Sequence, residues 1–302
     1  GWGNWTLLAP SNFRFLWNLH EQTGDPAFAQ VVYWANGDTV DGLPYDLYGG
    51  GEPAAFREAL QAVIGREGAR IEPPSVNKPK WHLGILRSGT GEGRRALWLD
   101  YDAGGGHGHQ DGLNLGLFAH GLDLLPEFGY PPVQFGGWGS PRARWYTITA
   151  AHNTVVVDGR NQANGAGETT LWHDGEHLRA IRASAAALYG IERYERTAAL
   201  IDVDADRFYA VDVFRVRGGS VHTKFQHSHY GPLSLIGPAP EPVERDFEPN
   251  AQIRDFRLDP DPPAAWRAEW QAEDRYELLP AGARVGLRHW DFTTGAAAGT
   301  CE

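Results

Sequence analysis

Methionine is absent from all 302 residues, position 1 included, and cysteine occurs once, as Cys301. A single thiol excludes an internal disulfide framework, so the fold must rest on core packing, while the compartment stays open on cysteine usage alone. No stretch approaches the roughly 18 consecutive apolar residues of a membrane span, and no basic region followed by an apolar run opens the chain. Neither a membrane anchor nor a signal peptide is therefore read from it. Positive charge is also short: 27 Lys and Arg stand against 38 Asp and Glu, a formal charge of -11. That balance opposes loose capture of long polyanions, which need basic counter-charge, and argues against nucleic acid as a partner. The first residues, Gly-Trp-Gly-Asn-Trp, and the last, Ala-Gly-Thr-Cys-Glu, look like the ends of a piece cut from a longer protein.

What is present divides in two. Over residues 1–76 the pattern is helical. Ser11 is a candidate cap for a segment whose Phe13, Leu16, Trp17 and His20 recur at helical spacing, and Asp25-Pro26 is a second start signal, leading Phe28, Val31, Val32 and Ala35. A third helix is expected from Pro53 to Ile64, with Phe56, Leu60 and Val63 inward and Gly65 as its stop. A proline-rich stretch, Glu72-Pro-Pro-Ser-Val-Asn-Lys-Pro-Lys80, then resists helix and sheet alike and reads as a linker. From there to residue 302, short β-branched and aromatic runs recur between Gly, Asp and Asn: Ala96 to Tyr101, Asn153 to Asp158, Arg207 to Val216 and Val221 to Gln226. In the third run both faces carry apolar residues, which predicts an inner strand of a sandwich.

The densest chemical signal is Gly104-Gly-Gly-His107-Gly-His109-Gln-Asp111-Gly-Leu-Asn114. On a strand, His107, His109 and Asp111 would share a face about 6.5 Å apart, and the glycines would let a ligand or another backbone approach. Two further polar groups stand where sheet packing favours apolar ones: Glu127 after an apolar run, and His152 ahead of Val155-Val-Val157. Imidazoles and carboxylates together suit a divalent ion of the zinc type. The plainer alternatives stay open on residues alone: His107 and His109 in an exposed loop, Asp111 as a turn cap, Glu127 as a surface acid. Between Tyr130 and Tyr146 the chain concentrates Trp138, Arg142, Arg144, Trp145 and Tyr146, rings and guanidinium groups suited to sugar faces and carboxylates.

These blocks, in this order, resemble the heparinase II/III-like polysaccharide lyases: Gly-His107-Gly-His109-Gln-Asp111-Gly-Leu-Asn-Leu, Leu-Phe118-Ala-His-Gly121, Leu-Pro-Glu127-Phe-Gly-Tyr130, and Ala-His152-Asn-Thr-Val-Val-Val-Asp158-Gly-Arg160-Asn-Gln162. The resemblance spans roughly residues 81–227 and implies an α+β multidomain fold, the end of an incomplete α/α toroid over residues 1–76 followed by an antiparallel β-sandwich over 77–302. It implies a structural zinc on His109, Glu127 and His152, the acid being commonly an aspartate in the family and here one methylene longer. It places His107 toward substrate as the catalytic residue, with Tyr130, Trp138, Arg144 and Tyr146 on the substrate side. The implied activity is β-elimination on a uronic-acid polysaccharide, of alginate or glycosaminoglycan type, in a periplasmic or secreted protein. Other acid/base groups would come from the toroid, so the chain alone is expected to be nearly inactive, and a homodimer is left open. Two other classes fit the same residues: a non-catalytic carbohydrate-binding sandwich with a structural metal, and a metal-dependent glycan hydrolase.

Overall fold

The structure is a computed structural model. It describes residues 10–43, 52–105, 108–132, 134, 136–137, 139–244 and 253–302, the side chains of residues 10–12 apart. The chain divides into two compact units, residues 3–74 and 75–302.

The first unit contains α1 (Pro10–Thr23), α2 (Pro26–Ala35) and α3 (Pro53–Glu67). Helix α1 starts at Pro10, so Ser11 falls inside its first turn rather than capping it. Asp25 caps α2 as its position suggests, its carboxylate accepting from the Ala27 N–H at 2.9 Å. Helix α3 runs through Gly65 and ends at Gly68, whose φ of 82° lies in the left-handed region that favours glycine. A lone mid-helix glycine costs only about 1 kcal/mol, which the burial of Leu60, Val63 and Ile64 outweighs. Phe13, Trp17, Ala29, Val32 and Leu43 complete that small core. Gln30 joins it as a buried polar group, donating to the Gly68 carbonyl at the end of α3 at 3.1 Å.

The second unit is built on two antiparallel sheets. The first has the order β1 (Val76–Lys78), β2 (Leu83–Ser88), β3 (Arg95–Asp100), β4 (Asn114–Ala119) and β5 (Leu122–Leu125). The second has β6 (Glu168–Asp174), β7 (Leu178–Ser184), β8 (Arg193–Asp202) and β9 (Phe208–Arg217) in sequential order. Alternate residues of each sheet point into one shared core: Leu86, Leu97, Leu99, Leu115 and Leu117 from the first, Ile181, Ala183, Tyr194, Ala198 and Leu200 from the second. Burying one such leucine contributes roughly 1.5–3 kcal/mol, and the period of two along the strands sets which face does so. His120 and Gly121 both take positive φ between β4 and β5, the twist a two-residue hairpin turn needs. Outside the sandwich, Val155–Val157 pairs with His222–Lys224, and two three-stranded sheets occupy residues 233–300.

Two expectations also fail at strands: Val76–Lys78, inside the stretch read as a linker, pairs with β2, and the run from Arg207 to Val216 is not an inner strand. Strand β9 is an edge strand, not an inner one: Phe208, Phe214 and Val216 pack against the core, while Tyr209, Val211 and Val213 are exposed on the other face. Alternating apolar residues imitate a doubly covered strand when one face is merely β-branched and aromatic.

Candidate metal centre

Residues 104–105 and 108–113 do not continue a strand, so the single-face arrangement read for this block is corrected at His109 and Asp111. Gly104 and Gly105 take φ of 89° and 95°, which ends the extended period after a two-residue strand, Asp102–Ala103. The result is a folded loop. Its backbone closes on itself where the Gly104 N–H donates to the His109 carbonyl at 2.6 Å, and the Gln110 N–H docks on the Thr147 carbonyl at 2.9 Å. At its far end Gly112 is gripped by Gln162, whose side chain accepts from the Gly112 N–H at 2.7 Å and donates to its carbonyl at 2.8 Å. A Cβ at Gly112 would stand 2.2 Å from the Leu188 Cδ1 methyl and 3.0 Å from Gln162 Oε1, so a larger residue would have to displace both side chains. His107 and Trp138 lie outside the described residues.

Three separate stretches converge there. His109 and Asp111 come from the loop, Glu127 from the segment after β5, and His152 from the end of the 3-10 turn Thr149–Ala151, each offering a ligand atom, and those atoms lie within 4.8 Å of one another. His109 Nδ1 is 3.3 Å from Glu127 Oε1 and 3.3 Å from His152 Nε2, which is 3.4 Å from Glu127 Oε2. Ligands about 2.1 Å from a tetrahedral ion lie about 3.4 Å from each other, so this spacing suits a shared cation. The tautomer agrees. His152 Nδ1 faces the Ile148 carbonyl at 2.9 Å, and a carbonyl only accepts, so that nitrogen carries the proton and the neutral ring turns its Nε2 lone pair to the cluster. Two imidazoles and two carboxylates thus fit a divalent ion of the zinc type.

Without a cation the cluster is strained electrostatically. Burial raises the Glu127 carboxyl, but His152 and His109 outweigh it and hold the group well below the usual carboxylate range. Burial lowers His152, yet Glu127 and Asp111 outweigh that and push the ring up to about 9. Asp111 is raised, by burial first and by Glu127 among its neighbours, and burial with Asp111 lifts Asp100 well above its ordinary value. A proton on an imidazole or a metal ion can balance so much buried carboxylate.

A second layer fixes these ligands. Asn114 donates to Glu127 Oε2 at 2.9 Å and accepts from the Asn153 N–H at 2.9 Å, joining the acid to the residue after His152. Arg196 reaches from β8 through the sandwich and donates to the carbonyls of Leu113 at 2.7 Å and of Asn153. Its other face makes a two-pronged pair with Asp212 of β9, 2.8 Å on each arm, and Lys224 adds a contact at 2.7 Å. One arginine therefore holds two of the three stretches that form the cluster, and it is 2% exposed.

Of the residues expected on the substrate side, Tyr130 is exposed and sets its ring edge-on to His109, centroids 6.1 Å apart. Arg144 is exposed at the end of the short helix Pro141–Arg144. Tyr146, two residues on, is half-buried, and its hydroxyl is raised by burial and by Tyr230. Asp111, read as one of a row but left out of the ligand set, belongs to the cluster. Asn114, Arg196 and His227 were not singled out. Asn114 closes the Gly-His-Gly-His block and could have been found there, whereas Arg196 sits in an ordinary amphipathic strand with nothing local to mark it.

The model of the family "Heparinase II/III-like, C-terminal" matches residues 73–234, more than half of the chain. The chain belongs to that family. An exo-oligoalginate lyase of Saccharophagus degradans is 29% identical over 157 residues, 47% of this chain and 21% of that protein. An alginate lyase of Stenotrophomonas maltophilia is 32% identical over 107 residues, 33% of this chain and 14% of that protein. Among solved structures, a heparinase III with methylated lysines aligns at 16% identity over 81% of this chain and 36% of its own, TM-score 0.47. The heparan sulfate lyase HepC of Pedobacter heparinus aligns at 12% identity over 97% and 41%, TM-score 0.46. The matched stretches thus cover well under half of each relative.

Proposed function

We propose that this chain is the metal-bearing β-sandwich portion of a polysaccharide lyase that cleaves a uronic-acid polymer by β-elimination, with the helices of residues 10–67 belonging to the end of an α/α toroid. The observation that carries the reading is the spacing of about 3.4 Å among His109, Glu127 and His152 within the family-matched stretch. Alginate is the first substrate to try, since both curated relatives are named for it.

A zinc ion held by His109, Glu127 and His152, with Asp111 as a fourth donor, would supply rigidity to the loop rather than an activated water. The chain's own residues have the rest of the work. Elimination requires the sugar carboxylate to be neutralised, the weakly acidic proton beside it to be taken, and the leaving oxygen to be protonated. His107, two residues before a ligand, is placed in this reading at the sugar as base or as a neutralising contact. Arg144 takes the carboxylate through its planar fork, and Tyr130 and Tyr146 pack on the sugar face. Further acid/base groups are assigned to the toroid. We place the protein in the periplasm or outside the cell, where such polymers are met.

The product distinguishes this reading from its rivals. Incubation of alginate with a full-length protein that includes the toroid should yield an unsaturated uronate absorbing in the near ultraviolet, and His107→Ala in that protein should abolish the signal while leaving metal content intact. New reducing ends without the chromophore would mean hydrolysis and contradict the proposal.

A further inference from the structure

The segment after the strand His222–Lys224 brings a histidine beside the metal centre that neither the ligand set nor the substrate-side residues include. The His227 N–H donates to the Asn153 side-chain carbonyl at 2.6 Å, next to the ligand His152. Ser228 anchors the same segment by donating to the Leu124 carbonyl at 2.8 Å. His227 is therefore fixed on both sides.

Its chemistry follows from one contact. Nε2 lies 2.8 Å from the Ala150 carbonyl, and because a carbonyl only accepts, Nε2 holds the proton. Nδ1 then carries the lone pair. Among the described residues, Nδ1 has no hydrogen-bond partner. Burial of the ring pushes its pKa down to about 4, so the neutral form persists at ordinary pH. The imidazole presents an acceptor that stays an acceptor.

Rings frame it. Phe128 meets His227 edge-on at 5.3 Å, Trp145 meets it at 5.8 Å and 83°, and Phe128 and Trp145 stand 6.3 Å apart. Phe128 directly follows the ligand Glu127 and is 37% exposed, so this ring wall opens to solvent beside the cluster. An exposed phenylalanine gains nothing from solvent. Aromatic faces take the C–H surface of a pyranose, and a neutral imidazole takes a hydroxyl proton.

We propose that Phe128, Trp145 and His227 form a saccharide subsite beside the metal centre, in which His227 Nδ1 accepts a hydrogen bond from a sugar hydroxyl. The inference rests on the lyase reading for its ligand class, a uronic-acid oligosaccharide. It adds residues that this reading does not use.

The test is titration calorimetry of the whole chain with a mannuronate tetramer, alongside metal analysis and circular dichroism. His227→Leu should weaken binding by roughly threefold to tenfold, the size of one net hydrogen bond. His227→Gln, whose amide can still donate to Ala150 and offer its oxygen, should restore most of the loss, which a purely structural role would not require. Phe128→Ala, at an exposed ring, should weaken binding with the fold intact. The subsite is overturned if the wild-type chain fails to bind the tetramer, or if folded His227→Leu and Phe128→Ala both bind as wild type. Binding that depends on His227, with no unsaturated product formed from alginate by the full-length protein that includes the toroid, would instead contradict the lyase reading and leave the subsite standing.

Discussion

The helical unit and the β unit hold their polar groups in different ways. In residues 10–67 a short apolar stripe per helix makes the core, and its buried polar group, Gln30, caps a neighbouring helix end. In residues 75–302 a charged network penetrates the sandwich: Arg196 pairs with Asp212 and holds two loop carbonyls, and those loops carry His109, Asp111 and His152. The first unit rests on packing, with hydrogen bonds such as those of Asp25 and Gln30 closing its helix ends. In the second, part of the packing is given up to position a site, since a buried ion pair is weak as a source of stability but costly to break.

That contrast can be broken most forcefully at Arg196. Arg196→Met leaves half-buried Asp212 with only Lys224, and the β unit should be destabilised against unfolding by about 3–5 kcal/mol, with zinc affinity falling in parallel. Chemical denaturation with a metal competition titration reads both, and unchanged affinity in a folded variant would detach Arg196 from the site. The same pair sets an acid limit. Burial raises Asp212, but Arg196 and Lys224 outweigh it and hold the carboxyl well below its ordinary value. Its contribution is thus present above the unfolded pKa of about 4 and is lost as pH falls below that.

Leu60→Ala is the matching lesion in the helical unit, where the side chain is fully buried. A loss of about 2–5 kcal/mol is expected there, and metal content should not change. If it did, the two units would not be separable in the way described. The smallest effect belongs to Asp25→Ala, which removes the cap of α2 and should cost about 1 kcal/mol, read from the same denaturation curves.

Legibility in the sequence follows the same division. Period and cap signals marked the three helices, because helix ends are written in local residues such as Asp25. Gly65 misled, since a glycine stops a helix only where the chain needs positive φ, and that place is Gly68. In the β unit, strand runs were readable, but the order of sheets was not, so β9 passed for an inner strand. The polar residues His109, Glu127 and His152 stood out by chemistry, while the loop that brings them together is made by Gly104, Gly105 and the Gln162 grip on Gly112. Arg196 and His227 act across the fold through backbone carbonyls, and no local pattern announces such partners.

Whether His109, Asp111, Glu127 and His152 hold a metal ion is read by elemental analysis of the chelator-rinsed chain. About one zinc per wild-type chain is expected, with a loss in both His109→Ala and His152→Ala. Metal-free wild-type protein, or zinc retained in both variants, would contradict a metal centre there.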